Sequence, residues 1–318
     1  MDAVNQIVVG VALPESKPWQ AANLDAATRL AVRQGFQLSA ELGIRLELTV
    51  VLPSPDTGLF ASTEDAEASL ADDRQAAQEL LDHLPQEYHR FPAKVTSSVR
   101  VGQSWLELLR AAECSRNTLI ICGTRSRSTV SRFLFGSTSL KLLRSAPGPV
   151  WVVKPRVDDD AVLDVLAATD LSDVGSDIIS AGVTLGRAFP VQLTAMHVLE
   201  GDVDRRIAHT GASDETIAEW RAKERADAEN QLQEQIASTD ARTLSSGIRT
   251  QLADGAADTC LLSAIDELDS DLLIMSSAGR SGIPGMIFGN TAERLLPELP
   301  CALLVIKPAD FVCPVDVS

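Results

Sequence analysis

The residues with the clearest capacity for chemistry lie late in the chain, in the run Met275 to Ile306, MSSAGRSGIPGMIFGNTAERLLPELPCALLVI. An apolar segment of strand length, Asp271 to Met275, leads into a loop carrying Gly279, Gly282, Gly285 and Gly289, and a helix starts at Asn290 or Thr291. Glycines in such a loop can take positive φ and let a ligand reach the backbone. Asn290 or Thr291 is expected to cap the helix, whose first N–H groups attract anions. The chemistry on offer is a phosphate cradle. A second reading stands beside it, because βα turns also use glycine for close helix packing alone.

The elements that must position this loop recur twice along the chain. Short apolar runs at Gln6 to Val11, Arg45 to Leu52, Val95 to Val101, Thr118 to Cys122 and Val150 to Lys154 read as strands. Helical patterns separate them: Leu24 to Leu42 closed by Gly43, a polar amphipathic stretch to about Leu84, a segment around Trp105 to Ala112, and Ser137 to Ser145. After an acidic linker, Arg156 to Asp160, the order repeats. Strands are expected at Val162 to Ala168, Gln192 to Leu199, near Arg249, at Asp271 to Met275 and at Ala302 to Ile306. Helices fall at Ser176 to Arg187, Ser213 to Ala237, Ala256 to Leu268 and Asn290 to Leu296. Gly102 matches Gly255, Gly136 matches Gly289, and Lys154-Pro155 matches Lys307-Pro308, each displaced by 153 positions. The chain is a tandem duplication, with domains over 1–155 and 161–308 and a tail over 309–318. Alternating strands and helices predict an α/β fold, two doubly wound parallel sheets with helices on both faces. Both glycine-rich loops then lie beyond the carboxyl ends of strands, where such sheets bind ligands.

Composition narrows the function classes. The chain has 318 residues, 45% hydrophobic and 4% aromatic, so it has cores of Leu, Val, Ile and Ala. A net charge of −16 disfavours nucleic acid, which is bound through basic surfaces. No apolar run approaches the roughly 18 residues of a membrane span. The opening MDAVNQIVVG has no basic segment ahead of an apolar one, and a cytoplasmic location is expected. Cys114, Cys122, Cys260, Cys301 and Cys313 form no CxxC pair and are expected to be mostly buried thiols. His83, His89, His197 and His209 lack ligand spacing, so no metal site is expected. The helix carrying Glu215, Glu219, Glu224, Glu229 and Glu234 reads as a charged outer face.

Two glycine-rich loops, each ending in G-S/N-T and followed by a helix and a valine-rich strand closed by Lys-Pro, resemble the universal stress protein (UspA) family, and tandem members of it in particular. The family loop is G-x2-G-x9-G-(S/T), and the resemblance covers both halves. It implies a five-stranded parallel α/β sheet in each half. Single-domain members commonly dimerise through the last strand, so the resemblance implies intramolecular pairing of the two halves through Val150 to Val153 and Ala302 to Ile306, with a homodimer as a further option. It also implies ATP or another adenine nucleotide as ligand, with an Asp after the first strand on the adenosine and three loop glycines on the phosphates.

The two halves depart from that pattern differently. In the first, Gly123, Gly136, Ser137 and Thr138 match, but Ser126 replaces the middle glycine and Ala12 the Asp. In the second, Thr169, Asp170, Gly279, Gly289, Asn290 and Thr291 match, Ala168 and Met275 beside them are further candidate binding residues, Val198 stands where the family lines its adenine pocket, and Ser276 replaces the first glycine. Asp170 keeps two readings, ligand contact or cap of the turn before Ser172. Arg125, Arg127 and Arg132 are either phosphate contacts or a solvated loop.

Three functions follow. The first is a non-catalytic stress-response protein with an adenine nucleotide in its second domain. The second is a scaffold or partner-binding protein with no nucleotide, or with an apolar or lipid-like ligand. The third is a slow ATPase or an autokinase using Ser126, Ser128, Thr129, Ser131, Ser137, Thr138 and Ser139. The third ranks lowest, since no set of metal-binding carboxylates converges on either loop. No Ser lies in GxSxG, and no Cys has a His at a recognisable spacing.

Overall fold

The computed structural model describes residues 3–54, 63–124, 135–156, 158, 161–200, 213–277 and 289–315. Ser126 and Gly279, with Arg125, Arg127, Arg132, Gly282 and Gly285, lie outside the described residues. Two compact units separate, Ala3–Asp159 with Val312–Ser318, and Met1–Asp2 with Asp160–Phe311.

In the first unit β1 (Gln6–Gly10), β2 (Arg45–Leu52), β3 (Lys94–Val101), β4 (Thr118–Gly123) and β5 (Val150–Val153) alternate with α1 (Ala26–Leu42), α2 (Thr63–Glu87), α3 (Ser104–Ala111) and α4 (Ser137–Ser145). The strands pair in the order β3-β2-β1-β4-β5, all parallel, with Val9 between Leu48 and Ile121. Ile7, Val8 and Val9 are fully buried, as expected of a parallel strand covered on both faces. Helix α1 starts at an Asp25 cap whose carboxylate accepts from Thr28 N–H at 2.7 Å, and it stops at Gly43 in the left-handed region. Its start therefore falls two residues later than the apolar pattern suggested, because the cap and not Leu24 sets it. Helix α2 runs past Leu84 to Glu87 and carries Pro85 inside it.

The second unit repeats the plan with β6 (Leu163–Ala168), β7 (Val191–Leu199), β8 (Ile248–Asp254), β9 (Leu272–Ser276) and β10 (Ala302–Ile306). Its helices are α5 (Asp173–Ala188), α6 (Asp214–Ala237), α7 (Ala257–Glu267) and α8 (Asn290–Leu295). The order is β10-β9-β6-β7-β8, again all parallel. The expected duplication is geometric as well as textual. Gly102 and Gly255 leave β3 and β8 with φ of 145° and 142°, a conformation open in practice only to glycine. Each donates its N–H to the end of a neighbouring strand, at Leu52 O and Leu199 O.

Two expectations need correction. Only Cys122 and Cys301 are buried; Cys114, Cys260 and Cys313 are half-exposed, because they sit in a turn, on the rim of α7 and in the tail. The long helix α6 is not wholly an outer face either. Ala228, Leu232 and Gln235 make a buried stripe, and Leu232 packs on Ile179 and Ala195. No helix among the described residues is long and apolar enough to cross a membrane.

Candidate functional site at the carboxyl ends of the central strands

In the second unit, the chain passes from β6 to β7 on one side while β9 lies on the other, so the strand order reverses between β6 and β9. A crevice opens there in doubly wound sheets. Ala168 at the end of β6 is in register with Met275 of β9. Thr169 and Asp170 follow directly, and Ser276 ends β9 beside Ile306. Ser277 N–H donates to Ile306 O at 3.1 Å, and Gly289 N–H donates to Ser277 O at 2.6 Å. The second bond brings the far end of the glycine-rich loop back to β9, so Gly289, Asn290 and Thr291 stand at the same strand end as Ser276. Val198 is buried on β7, and its neighbour His197 donates from Nδ1 to Thr169 O at 2.8 Å, tying the ends of β6 and β7 together.

The turn after β6 is held from outside by a residue the sequence did not single out. Thr169 Oγ1 donates to Gln235 Oε1 at 2.8 Å and accepts from Leu171 N–H at 3.0 Å. Gln235 Nε2 donates to Ser172 O at 2.7 Å. One amide on α6 thus grips both sides of the turn. Its signal was the spacing Ala228, Leu232, Gln235, which places all three on one side of a helix.

Asp170 itself caps the turn, its Oδ1 accepting from Ser172 N–H at 3.1 Å and from Ser172 Oγ at 2.5 Å. The capping reading therefore holds, and it leaves Oδ2 with no hydrogen bond among the described residues. A second polar group nearby is also unsatisfied. The Ser277 hydroxyl, on a residue 1% exposed, has no partner among the described residues. A free carboxylate oxygen and an orphaned buried hydroxyl at one strand end fit a polar ligand.

The helix start differs from expectation. Gly289, not Asn290 or Thr291, is the N-cap of α8, with φ −70° and ψ 155° and no side-chain cap bond. Asn290 is already the first helical residue, so its amide cannot fold back on the helix end. Gly289 also needs no positive φ there, so turn geometry does not require a glycine at this position.

The first unit has the same layout with fewer polar groups. Gly136 caps α4 as Gly289 caps α8, and Ser137 and Thr138 open that helix. The Thr124 hydroxyl, at the position matching Ser277, is likewise buried without a partner among the described residues. Ala12, in the place of Asp170, brings no acceptor. Gly123 has a packing reason for being glycine, since a Cβ there would stand 2.9 Å from the Ala27 backbone carbonyl carbon and 2.9 Å from its Cβ. Gly123→Ala is expected to destabilise the first unit by about 1–3 kcal/mol through this overpacking, read as a lowered first transition in calorimetry. Burial pushes the Cys122 thiol up to about 12, so it stays protonated and is no nucleophile at this strand end. Among the described residues no group of three or more His, Cys, Asp or Glu could hold a metal ion.

Comparison with known proteins agrees with the two-domain α/β fold. The model of the Universal stress protein family matches residues 21–154 and 163–307, once in each half. Universal stress protein E of Photorhabdus laumondii is 23% identical over 241 residues, covering 73% of this chain and 76% of its own. A universal stress protein of Mycolicibacterium smegmatis is 25% identical over 291 residues, covering 90% of this chain and 94% of its own. Among solved structures, a functionally unknown protein from Pseudomonas aeruginosa PAO1 aligns with a TM-score of 0.63 at 21% identity, covering 97% of this chain and 94% of its own. A universal stress protein from Archaeoglobus fulgidus aligns at 0.60 and 18% identity, covering 95% and 98%. At these identities the solved structures speak to the fold alone.

Proposed function

The chain belongs to the universal stress protein family, and from that membership we propose that it is a cytoplasmic stress-response protein whose second domain binds an adenine nucleotide such as ATP without turning it over. The observation that carries the proposal is Asp170 Oδ2 at the β6–β9 crevice, which takes no hydrogen bond among the described residues, on a carboxylate that Ser172 already holds in place. In this reading Asp170 accepts from the nucleoside hydroxyls, and Ala168, Val198 and Met275 supply the apolar walls for the base. The backbone at Ser276 and Gly289, with Asn290 and Thr291, meets the phosphates. The bound nucleotide supplies binding free energy that favours one conformation of the domain for a partner. The first domain, with Ala12 in place of the carboxylate, lacks this acceptor.

The test needs no presumption about affinity. Purified protein is heat-denatured and the supernatant analysed for nucleotide, and ATP is then titrated in a thermal melt. Recovery of an adenine nucleotide is expected, together with a stabilisation of about 2.7 kcal/mol when ATP reaches a hundred times its Kd. No recovered nucleotide and no shift at millimolar ATP would overturn the proposal in favour of a scaffold without nucleotide.

A further inference from the structure

The C-terminal tail belongs to the first unit, with which Val312–Ser318 clusters. It brings a second sulfur to a turn of that unit. Cys114 follows α3, where Glu113 and Cys114 take φ of 52° and 44° and Cys114 N–H closes the helix end on Leu109 O at 3.0 Å. Cys313 Sγ lies 3.6 Å from Cys114 Sγ, and both residues are half-exposed. The second unit closes α7 in the same way, with Asp269 at φ 48° and Ser270 N–H on Ile265 O at 2.9 Å, but there the residue is a serine. The thiol is thus specific to the half that receives the tail.

Metal binding is the weaker use of such a pair, because no third His, Cys, Asp or Glu among the described residues completes a site. Disulfide formation needs only the two sulfurs, brought about 1.5 Å closer to reach bonding distance. We propose that Cys114 and Cys313 form a reversible intramolecular disulfide when the protein meets a low-molecular-weight disulfide such as glutathione disulfide, fastening the C-terminal tail to the first domain. One cysteine of the pair, as its thiolate, attacks one sulfur of glutathione disulfide, forms a mixed disulfide and expels one glutathione thiolate. The other cysteine then attacks the protein sulfur of that mixed disulfide and expels the second glutathione thiolate. Two electrons pass from the cysteine pair to the oxidant, and the two thiol protons leave with the two glutathiones. Burial, and after it the hydrogen bond to Cys313 and that neighbour's proximity, push the Cys114 thiol up to about 12, so the exchange is expected to quicken as pH rises. The closed ring runs from residue 114 to residue 313 and holds the sequence of the whole second domain, so oxidation prevents the tail from peeling away.

The experiment uses the reduced full chain exposed to glutathione disulfide, with thiols then counted by alkylation under denaturing conditions and the products mapped by peptide mass spectrometry. The five free thiols are expected to fall to three, with the loss of two hydrogens in intact mass and one cross-linked peptide pair joining residues 114 and 313. Cys260→Ser leaves this product unchanged, and Cys114→Ser stops at a glutathione adduct on Cys313. Because the wild-type map is decisive by itself, a poorly folding variant does not spoil the test. Retention of all five thiols, a bond to a different cysteine, or cross-linked dimers in place of the ring would each overturn the proposal.

Discussion

Asp170→Asn is expected to weaken adenine nucleotide binding by about 10–100-fold, the loss of one hydrogen bond to a charged acceptor, while moving the melting temperature little. The two halves of that expectation come from the two oxygens of one side chain. Oδ1 serves the fold, accepting from Ser172 N–H and Ser172 Oγ. An asparagine carbonyl can take over that capping bond, since Asn and Asp are near equals at such turns. Oδ2 is the oxygen the proposal gives to the ligand, and there an amide nitrogen would present donors where the nucleoside needs an acceptor. Asp170→Ala is the comparison. It removes both oxygens, so it adds a stability loss of about 1 kcal/mol to the loss of binding. Calorimetric titration of ATP into both variants, alongside thermal melts, separates the roles. If Asn binds ATP as wild type does, Asp170 is a turn cap and nothing more.

The architecture was legible because it is written in local terms. Ile7, Val8 and Val9, or Leu272, Leu273 and Ile274, are continuous apolar runs because both faces of those strands are covered. Gly102 and Gly255 announced themselves as a pair, and both take the φ that makes glycine necessary. The candidate site was legible only where one residue carries its own message, as Asp170 does. Gly123 did not, since its glycine answers to the Ala27 backbone, far away in sequence. Gln235 was hidden for a related reason. Its helix carries acidic residues around most of its circumference, and a stripe with only two large apolar side chains, Leu232 and the partly buried Ile236, is too faint for periodicity to reveal. A buried amide whose partners, Thr169 Oγ1 and Ser172 O, lie on another element leaves only that faint spacing in its own neighbourhood. The same holds for Cys114 and Cys313, whose separation in sequence conceals a 3.6 Å contact.

Gly175→Ala should be the most damaging small substitution in the second domain, costing about 2–5 kcal/mol, from overpacking together with a stranded buried amide. Gly175 lies in the first turn of α5, against Thr169 in the turn that carries Asp170. A methyl group there would fall on Thr169 Oγ1 and stand 2.6 Å and 2.8 Å from the nitrogen and oxygen of the Gln235 amide. Neither neighbour can yield cheaply. Thr169 Oγ1 is fixed by its bonds to Gln235 and Leu171 N–H, and Gln235 also holds Ser172 O. Swinging Gln235 away would leave Thr169 Oγ1 and Ser172 O without those partners. The melting temperature of the second domain is therefore expected to fall by roughly 5–20 °C. Nucleotide affinity should fall with it, since the displaced turn carries the Asp170 carboxylate. Removing the obstacle identifies the cause. Gln235→Ala alone destabilises by deleting the grip, but combined with Gly175→Ala it also vacates the space the new methyl needs. The double variant should then be more stable than the sum of the two losses predicts, by about 0.5–3 kcal/mol. Strictly additive losses would mean that the methyl group is accommodated by movement of α5 and that Gln235 does not govern the turn.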